Sequence, residues 1–265
     1  MSEILRKILA SKVIEVKKNK KLRSLTSLED DKGLFKINSF EKSLLNCVVE
    51  KKPGVIAEVK KASPSKGILK KDFNPADIAL SYESAGAACL SVLTDEVFFA
   101  GSINDLVEVR KNSCIPVLRK DFIIDPYQIF QSRAYGADCI LLIAAALELS
   151  QMVEFETIAK NLGMDVLIEV HNELELEKAK SCKSNLIGDN NRDLNTFEVD
   201  IENSFRLNKL IPKNKLIISE SGISSCENMR GLMCAGVYCF LIGESLMKHD
   251  DPGEALGLLF KNLLH

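Results

Sequence analysis

The feature that most limits how this sequence can fold is a repeated alternation of a short apolar segment with an amphipathic segment of helical period. From residue 55 onward the alternation contains eight predicted strands: Val55–Lys60, Cys89–Leu93, Pro116–Arg119, Cys139–Ile143, Asp165–Glu169, Leu186–Gly188, Leu216–Ser219 and Tyr238–Ile242. Eight successive strand–helix units predict an α/β fold of the (β/α)8 TIM-barrel kind. A doubly wound open sheet is the alternative, because alternation alone does not show that the sheet closes.

Seven helix-period segments separate these strands: Pro75–Ala85, Ile103–Lys111, Pro126–Tyr135, Leu149–Asn161, Glu173–Ser181, Ile201–Leu210 and Cys226–Ala235. Gly86, Gly136 and Gly236 each lie between a predicted helix and the next strand, where a glycine commonly ends a helix. We therefore expect a single TIM-barrel domain over residues 1–265, with the barrel itself at 55–265.

The residues before the barrel predict an N-terminal helical extension over residues 1–48. The first 23 residues contain eight Lys and Arg, and their apolar residues fall at helical spacing: Ile4, Leu5, Ile8, Leu9, Val13 and Val16. We interpret this segment as a helix that packs on the barrel with a solvated basic face. A membrane-surface or targeting helix is the alternative, which Glu3 and Glu15 argue against. A second short helix is expected around Ser39–Cys47.

Composition excludes several classes of protein. With 46% hydrophobic residues and a net charge of −2, the chain is not globally disordered. Its longest apolar run, Cys139–Leu147, is nine residues long and too short to span a bilayer. A pI near 6.0 gives no general case for a nucleic-acid partner. We expect a cytoplasmic protein without nucleic-acid or membrane partners, either a monomer or a weak homodimer.

The eight cysteines do not predict a disulfide framework or a metal site. The sequence contains no C-x-x-C pair, and Cys89 and Cys239 lie inside apolar runs. Buried free thiols are therefore the preferred interpretation. The chain has three histidines, which argues against a histidine-rich metal site.

Charged and polar residues gather where the predicted strands end, which is where a barrel builds its active site. They are Glu58, Lys60 and Ser63, then Thr94 and Asp95, Lys120 and Asp121, Glu169 and His171, Asn190 and Arg192, Glu220, Ser221 and Gly222, and finally Gly243 and Glu244. Buried unpaired charge is costly, so these residues either pair with each other or face a ligand. The pattern predicts a functional site at this end of the barrel.

Two glycine-containing segments after the last two strands favour phosphate binding. Gly222 in Ile218–Ile223 and Gly243 in Leu241–Ser245 would let backbone N–H groups approach an anion, although either glycine alone could be a turn residue. The loops after strands seven and eight commonly hold phosphate in such barrels. Neither a Walker A nor a G-x-G-x-x-G pattern occurs, so no nucleotide cofactor is predicted.

Four residues offer acid–base chemistry: Glu58, Lys60, Lys120 and Glu169. We expect neighbouring cations and desolvation to lower the pKa of a lysine here, and an apolar pocket to raise the pKa of a glutamate. A static ion-pair network at the barrel mouth is the alternative. Spacing alone does not choose the reaction.

The segment Ile56–Gly67, IAEVKKASPSKG, resembles the signature of the indole-3-glycerol phosphate synthase family. Further similar segments follow in order along essentially the whole chain: Val92–Asp95 with Phe98, Phe99, Gly101 and Ser102, Leu118–Phe122 with Asp125–Gln128, Ile168–His171, Asn190–Leu194 and Ser219–Ile223. The resemblance implies a cofactor-free carboxy-lyase of tryptophan biosynthesis. Its phosphorylated substrate is 1-(2-carboxyphenylamino)-1-deoxyribulose 5-phosphate, which closes to indole-3-glycerol phosphate with loss of CO2 and water.

The resemblance also implies roles for individual residues. The general acid falls on Lys120 and the general base on Glu169, while Glu58 and Asn190 position hydroxyls and shuttle protons. Lys60 would hold an anionic part of the substrate. The substrate-binding and phosphate-binding positions are Ser63, Arg192, Glu220, Ser221, Gly222, Gly243 and the backbone amide of Glu244. Phe98 or Phe99, with Phe122 and Leu141, would form the apolar wall, or would simply pack the barrel mouth.

Two residues depart from the family pattern as we expect it. Asp189 stands where an apolar residue is expected, and either points into a neighbouring layer and pairs with a cation or alters the charge of the pocket. Glu244 places a carboxylate at a phosphate-facing turn, and its side chain is expected to turn outwards.

A barrel with a phosphate site at this end is compatible with two other functions. One is a phosphate-binding isomerase barrel of the tryptophan or histidine pathways, and the other is a non-catalytic barrel that binds a phosphorylated ligand. Lys120, Glu169 and the Glu58-x-Lys60 pattern argue against both.

Overall fold

Eight parallel strands close into a barrel in which consecutive strands pair and the eighth pairs with the first. The computed structural model describes residues 2–193 and 196–264. In chain order the strands are β1 Gly54–Val59, β2 Cys89–Leu93, β3 Val117–Lys120, β4 Cys139–Ile143, β5 Asp165–Val170, β6 Leu186–Asn190, β7 Leu216–Glu220 and β8 Cys239–Ile242. The predicted TIM barrel is confirmed, and the open doubly wound sheet is excluded by the pairing of Gly54 with Cys239.

Three helices precede the barrel: α1 Glu3–Leu22, α2 Leu25–Asp30 and α3 Phe40–Val49. The helices that follow are α4 Pro75–Ser84, α5 Glu96–Phe99, α6 Ile103–Asn112, α7 Pro126–Ala134, α8 Leu149–Asn161, α9 Glu173–Lys180, α10 Glu202–Asn208, α11 Cys226–Cys234, α12 Glu244–Met247 and α13 Pro252–Leu264. The sequence did not predict α2, α5 or the hairpin of Ala62–Ser63 with Gly67–Ile68. No helix in the described ranges is long and apolar enough to cross a membrane.

Strand residues are apolar on both faces because one face packs against the outer helices and the other faces the interior of the barrel. In β1, Val55, Ala57 and Val59 pack against the outer helices, whereas Ile56 joins the cluster inside the barrel. Helix starts follow the local sequence: the side chain of Asn74 accepts N–H groups at the start of α4, and Pro75 occupies the first turn. Such caps determine where each helix begins. They therefore determine the length of the loop that carries the polar residues after each strand.

The N-terminal helices contact opposite ends of the barrel. Phe40 and Leu44 of α3 are fully buried and pack with the apolar cluster inside the barrel. The helix α1 buries Leu5, Ile8 and Val16, as expected for a helix packed on the barrel. The prediction of a solvated basic face is wrong for one residue of α1, however, because Lys12 is completely buried among carboxylates.

All eight cysteines are free thiols, in agreement with the sequence interpretation. Four of them are buried: Cys89, Cys139, Cys182 and Cys239. Burial was the wrong expectation for Cys114 and Cys234, which are exposed.

Candidate active site

A cavity of about 450 Å³ opens at the carboxyl-terminal ends of the strands. The predicted site residues that line it are Glu58, Lys60, Ser63, Phe99, Lys120, Phe122, Leu141, Glu169, Asn190, Arg192, Glu220, Ser221, Gly222, Gly243 and Glu244. They converge because the carboxyl ends of parallel strands meet at one rim of a barrel. Four residues predicted at this end of the barrel are not part of the lining: Phe98, which lies in α5 beside Phe99, and Thr94, Asp95 and His171.

The ammonium group of Lys120, at the end of β3, lies between two carboxylates. Its Nζ is 3.1 Å from Glu169 Oε2 and 3.2 Å from Glu220 Oε2. Burial alone would lower the pKa of Lys120, but attraction to Glu169, Glu220 and Glu58 outweighs burial and holds that pKa well above its usual value. The expected lowering by neighbouring cations is therefore wrong, because carboxylates surround this lysine instead. Lys120 is therefore held in its charged form.

Glu169 and Glu220 are both buried, but their pKa values are shifted in opposite directions. Burial disfavours the anion of Glu169, yet Lys120 and His171 outweigh burial and lower its pKa, and Asn190 Nδ2 donates to Glu169 Oε1 over 3.2 Å. Burial and the charge of Glu169 raise the pKa of Glu220, with Lys120 opposing. The expected rise is therefore wrong for Glu169, and it occurs instead at Glu220, which was not among the predicted acid–base residues. Two carboxylates whose pKa values are driven apart suit different roles in proton transfer.

His171 reinforces the anionic state of Glu169 from outside the cavity. Its Nε2 is 3.4 Å from Glu169 Oε1, and its Nδ1 is 3.0 Å from Glu175 Oε2. Burial opposes charge on the ring, but hydrogen bonds and attraction to both carboxylates raise the pKa of His171 to about 10. A protonated His171 therefore helps to keep Glu169 ionised.

Two glycines make room for carboxylates of the site. A Cβ atom on Gly188 of β6 would overlap Glu220 Oε1, and one on Gly243 would overlap Glu58 Oε2. The carboxylate of Glu58 in turn lies 2.5 Å from Lys60 Nζ. The absence of a side chain at Gly243 thus leaves room for the Glu58 carboxylate, and it also leaves the backbone N–H accessible to an anion.

The side of the cavity formed by β6, β7 and β8 carries the groups predicted to bind phosphate. Ser221 and Gly222 both have positive φ, +65° and +80°, so the chain turns sharply after β7. The Ser221 hydroxyl donates to Asn190 Oδ1 over 2.8 Å. Ser63 Oγ is buried and has no hydrogen-bond partner in the described part of the chain, which leaves it available to a ligand.

Glu244 does not turn outwards as expected. Its carboxylate lies 3.2 Å from Arg192 Nη2 and 2.8 Å from Lys248 Nζ, all at the rim of the cavity. Arg192, predicted to bind the substrate, pairs here with this neighbouring carboxylate. In this cluster two cations share one carboxylate, so a net positive charge remains to attract an anion.

An apolar wall faces this polar side. The rings of Phe99 and Phe122 lie with centroids 6.1 Å apart, and Leu141 belongs to the same lining. Sequence reasoning missed the contribution of α1, whose Ile4, Leu5 and Ile8 complete the lining. Their helical spacing predicted that α1 packs on the barrel, but nothing local shows that it covers this end.

Asp189 lies outside the cavity, between β6 and α10. It is fully buried, and its Oδ1 accepts a hydrogen bond of 2.7 Å from Asn203 Nδ2. Of the two expectations, the neighbouring layer is right, but the hydrogen-bond partner is an amide rather than a cation. Burial raises the pKa of Asp189 to about 6, with Ser204, His171 and Asn203 opposing. The motif residue Leu194 falls outside the described residues.

Comparisons with known proteins agree with this arrangement. The family model described as indole-3-glycerol phosphate synthase matches residues 5–259. The indole-3-glycerol phosphate synthase of Polaromonas naphthalenivorans (strain CJ2) is 50% identical over 261 residues, covering 98% of this chain and 99% of that protein. That of Laribacter hongkongensis (strain HLHK9) is 50% identical over 262 residues, covering 98% and 100%.

Among solved structures, the tryptophan synthase alpha chain of Legionella pneumophila subsp. pneumophila is similar with a TM-score of 0.61 and 15% identity, covering 86% of this chain and 96% of that chain. At this level of identity the similarity shows the barrel fold alone.

Proposed function

The chain belongs to the indole-3-glycerol phosphate synthase family, and from that premise we propose that Lys120 is its general acid and Glu169 its general base. The protein is a carboxy-lyase of tryptophan biosynthesis and acts on a phosphorylated small molecule. The observation that carries the proposed roles is the position of Lys120 Nζ, held between Glu169 and Glu220 at the base of the cavity.

The two walls of the cavity suggest how the substrate lies. The phosphate would meet Ser63 and the backbone N–H groups around Gly222 and Gly243, where the chain can approach an anion closely. The carboxyphenyl ring would pack against Phe99 and Phe122, on the opposite side. This orientation would bring the ribulose C2 carbonyl towards the Lys120 ammonium group, which lines the cavity between Glu169 and Glu220.

Ring closure joins the aromatic carbon that bears the carboxylate to C2 of the ribulose moiety. Negative charge develops on the C2 oxygen as the bond forms, and the Lys120 ammonium can stabilise that charge and pass it a proton. Its high pKa does not prevent the transfer, because an alkoxide is a stronger base than an amine. Loss of CO2 from the same ring carbon then restores the aromatic ring.

Dehydration removes the new hydroxyl and one proton from the adjacent carbon. The lowered pKa of Glu169 keeps it anionic, so it can accept that proton. Asn190 contacts both Glu169 and Ser221, which suits it to holding a hydroxyl between the reacting centre and the phosphate side. Glu58, paired with Lys60, is placed to shuttle protons, and the Lys60 cation to hold an anionic group of the substrate.

The proposal is tested by incubating the purified chain with 1-(2-carboxyphenylamino)-1-deoxyribulose 5-phosphate, without added metal or cofactor, and following indole fluorescence. We expect Lys120→Ala to lower kcat by about 10²- to 10⁴-fold, with inhibition by inorganic phosphate largely retained. The matched control is Lys111→Ala, on the outer surface of α6. Turnover near the wild-type rate in Lys120→Ala would remove Lys120 from the acid role.

We further propose that the chain works in the cytoplasm as a monomer or weak homodimer, without nucleic-acid or membrane partners, and that it is one domain with an extension over 1–48. Its small net charge and near-neutral pI support the absence of a polyanionic partner. Light scattering over a range of protein concentrations tests the oligomeric state, with a constant molar mass of about 29 kDa expected for a monomer.

A further inference from the structure

The mechanism leaves one buried ammonium group unused. Lys12 of α1 has no exposed surface, and its Nζ lies 2.7 Å from Glu15 Oε2, 2.9 Å from Asp95 Oδ2 and 2.9 Å from Asp121 Oδ1. An ammonium group has three N–H donors, so three carboxylates satisfy it completely. Burying a charge is costly unless it is paired in this way. The position on α1 therefore requires a cation rather than merely tolerating one.

Two of the carboxylates that contact Lys12 belong to the loops that build the active site. Asp121 directly follows Lys120, and its Oδ1 also accepts the N–H of Phe122 over 2.8 Å. Asp95 begins α5, and its Oδ1 accepts the N–H of Phe99 over 3.3 Å. Each aspartate thus connects Lys12 to a residue that lines the cavity.

These connections are short and rigid. Asp121 is 1% exposed and Asp95 is fully buried, so neither carboxylate can turn to water if Lys12 is lost. Asp95 Oδ2 has no hydrogen-bond partner in the described ranges besides its ion pair with Lys12. Asp121 keeps a second cation, Arg119, whose Nη2 lies 2.9 Å from Asp121 Oδ2. Without Lys12, Asp95 would be an uncompensated buried charge, and α5 would have to move to expose it.

The same helix contributes Ile4 and Ile8 to the cavity wall, one to two turns before Lys12. Docking of α1, placement of Phe99 and placement of the segment that contains Lys120 are therefore linked through one ammonium group. We propose that Lys12 is a positioning residue for the reaction, which holds the loops after β2 and β3 in the geometry that aims Lys120 at the substrate. This inference rests on the proposed role of Lys120.

The test compares three variants of the full-length chain. Lys12→Met keeps the length of the side chain and removes its charge, whereas Lys12→Arg keeps the charge. The control is Lys20→Met, because Lys20 also pairs α1 with the loop after β3, at 2.8 Å from Asp125 Oδ2, but this ion pair is solvent-exposed and should contribute little. Each variant is assayed for kcat, KM and inhibition by inorganic phosphate, and for cooperative thermal unfolding.

We expect Lys12→Met to lower kcat by at least tenfold, since small misplacements of a catalytic group have large effects on rate. Inhibition by inorganic phosphate should change less than threefold, because Ser221 and Gly222 follow β7 and Gly243 follows β8, whereas Lys12 pairs with the loops after β2 and β3. Lys12→Arg should recover part of the lost kcat, and Lys20→Met should stay within twofold of the wild type.

A folded Lys12→Met variant with kcat within twofold of the wild type would overturn the inference. So would parallel losses of kcat and phosphate inhibition that follow the fraction of folded protein, since that result indicates stability alone. If Lys12→Met does not fold, Asp95→Asn carries the test: it keeps an oxygen for the N–H of Phe99, removes one ion pair, and should lower kcat at least threefold. Turnover by the wild type and its loss in Lys120→Ala decide the proposed function independently.

Discussion

At its amino-terminal end the barrel is filled by apolar side chains, whereas at its carboxyl-terminal end the strands finish in charged ones. Phe40 and Leu44 of α3 pack into the lower end and are completely buried. At the upper end Lys120, Glu169 and Glu220 are nearly as well buried, but they contact each other instead of apolar neighbours. The lower end of the barrel is thus closed by apolar packing, whereas the buried side chains of the upper end are charged and paired with each other.

The difference shows where stability and chemistry reside in this chain. Apolar burial at the lower end stabilises the fold by roughly 25 cal/mol per Å². Buried charges at the upper end must offset their own desolvation, and contribute little net stability even when paired. Residues of the lower end should therefore change the free energy of unfolding with little effect on kinetics, and residues of the upper rim should do the reverse.

The largest expected effect tests the lower end. Leu44→Ala should lower the free energy of unfolding by about 2–5 kcal/mol, because it opens a cavity among fully buried neighbours. Denaturant unfolding measures this loss, and KM at a temperature where the variant is folded should match that of the wild type. The matched control is Leu45→Ala, on the exposed face of the same helix, which should cost far less. A large change in KM in folded Leu44→Ala would contradict the separation of the two ends.

A smaller effect is expected from Asp189, which is buried outside the cavity. It tests whether a buried charge there also lowers the free energy of unfolding. Burial raises the pKa of Asp189 to about 6 from its ordinary 3.8, so the folded state favours the protonated form. Stability from this group is present below pH 3.8 and is lost as the pH rises through 6. Relative to Asp189→Asn, the wild type should lose about 1–3 kcal/mol of unfolding free energy between pH 4 and pH 7. Urea unfolding of both proteins across this range measures the difference, and a constant difference would sink the prediction.

The smallest effect concerns the rim. The Glu244 carboxylate pairs with Arg192 and Lys248, and so should compete with an anionic ligand for these two cations. Glu244→Gln should strengthen inhibition by inorganic phosphate about three- to tenfold at low ionic strength, and the gain should shrink in 0.5 M salt (on the order of a 4 Å screening length). The unfolding free energy should change by less than about 0.5 kcal/mol. Glu254→Gln, exposed on α13, is the control. Unchanged phosphate inhibition would show that Glu244 does not compete.

Most of the fold could be predicted from the sequence because strands covered on both faces are continuously apolar. The ends of the predicted strands differ from the observed ones by at most two residues. The site followed from the same reasoning, since the carboxyl ends of parallel strands must converge. The pKa of Lys120 could not be predicted in this way: the sequence shows which charged residues end the strands, but not which of them become neighbours.

The role of α1 was the main feature that sequence reasoning missed. Lys12 contacts Asp95 and Asp121, residues far along the chain, and no local periodicity reports such contacts. A signal was nevertheless present: Lys12 falls on the same helical face as Ile8 and Val16. A lysine in the middle of an apolar stripe predicts a buried cation with acidic partners, rather than part of a solvated face.

Because the first strand pairs with the last, the barrel cannot close until nearly the whole chain has been synthesised. β1 leaves the ribosome early, but one of its edges pairs only with β8, which begins at Cys239. Until then the growing sheet is open at both sides, and its unpaired N–H and C=O groups are accessible to other chains. A nascent or truncated chain without β8 therefore carries an aggregation-prone edge. Only the complete barrel, in which β8 pairs with both β7 and β1, leaves neither edge of this sheet unpaired.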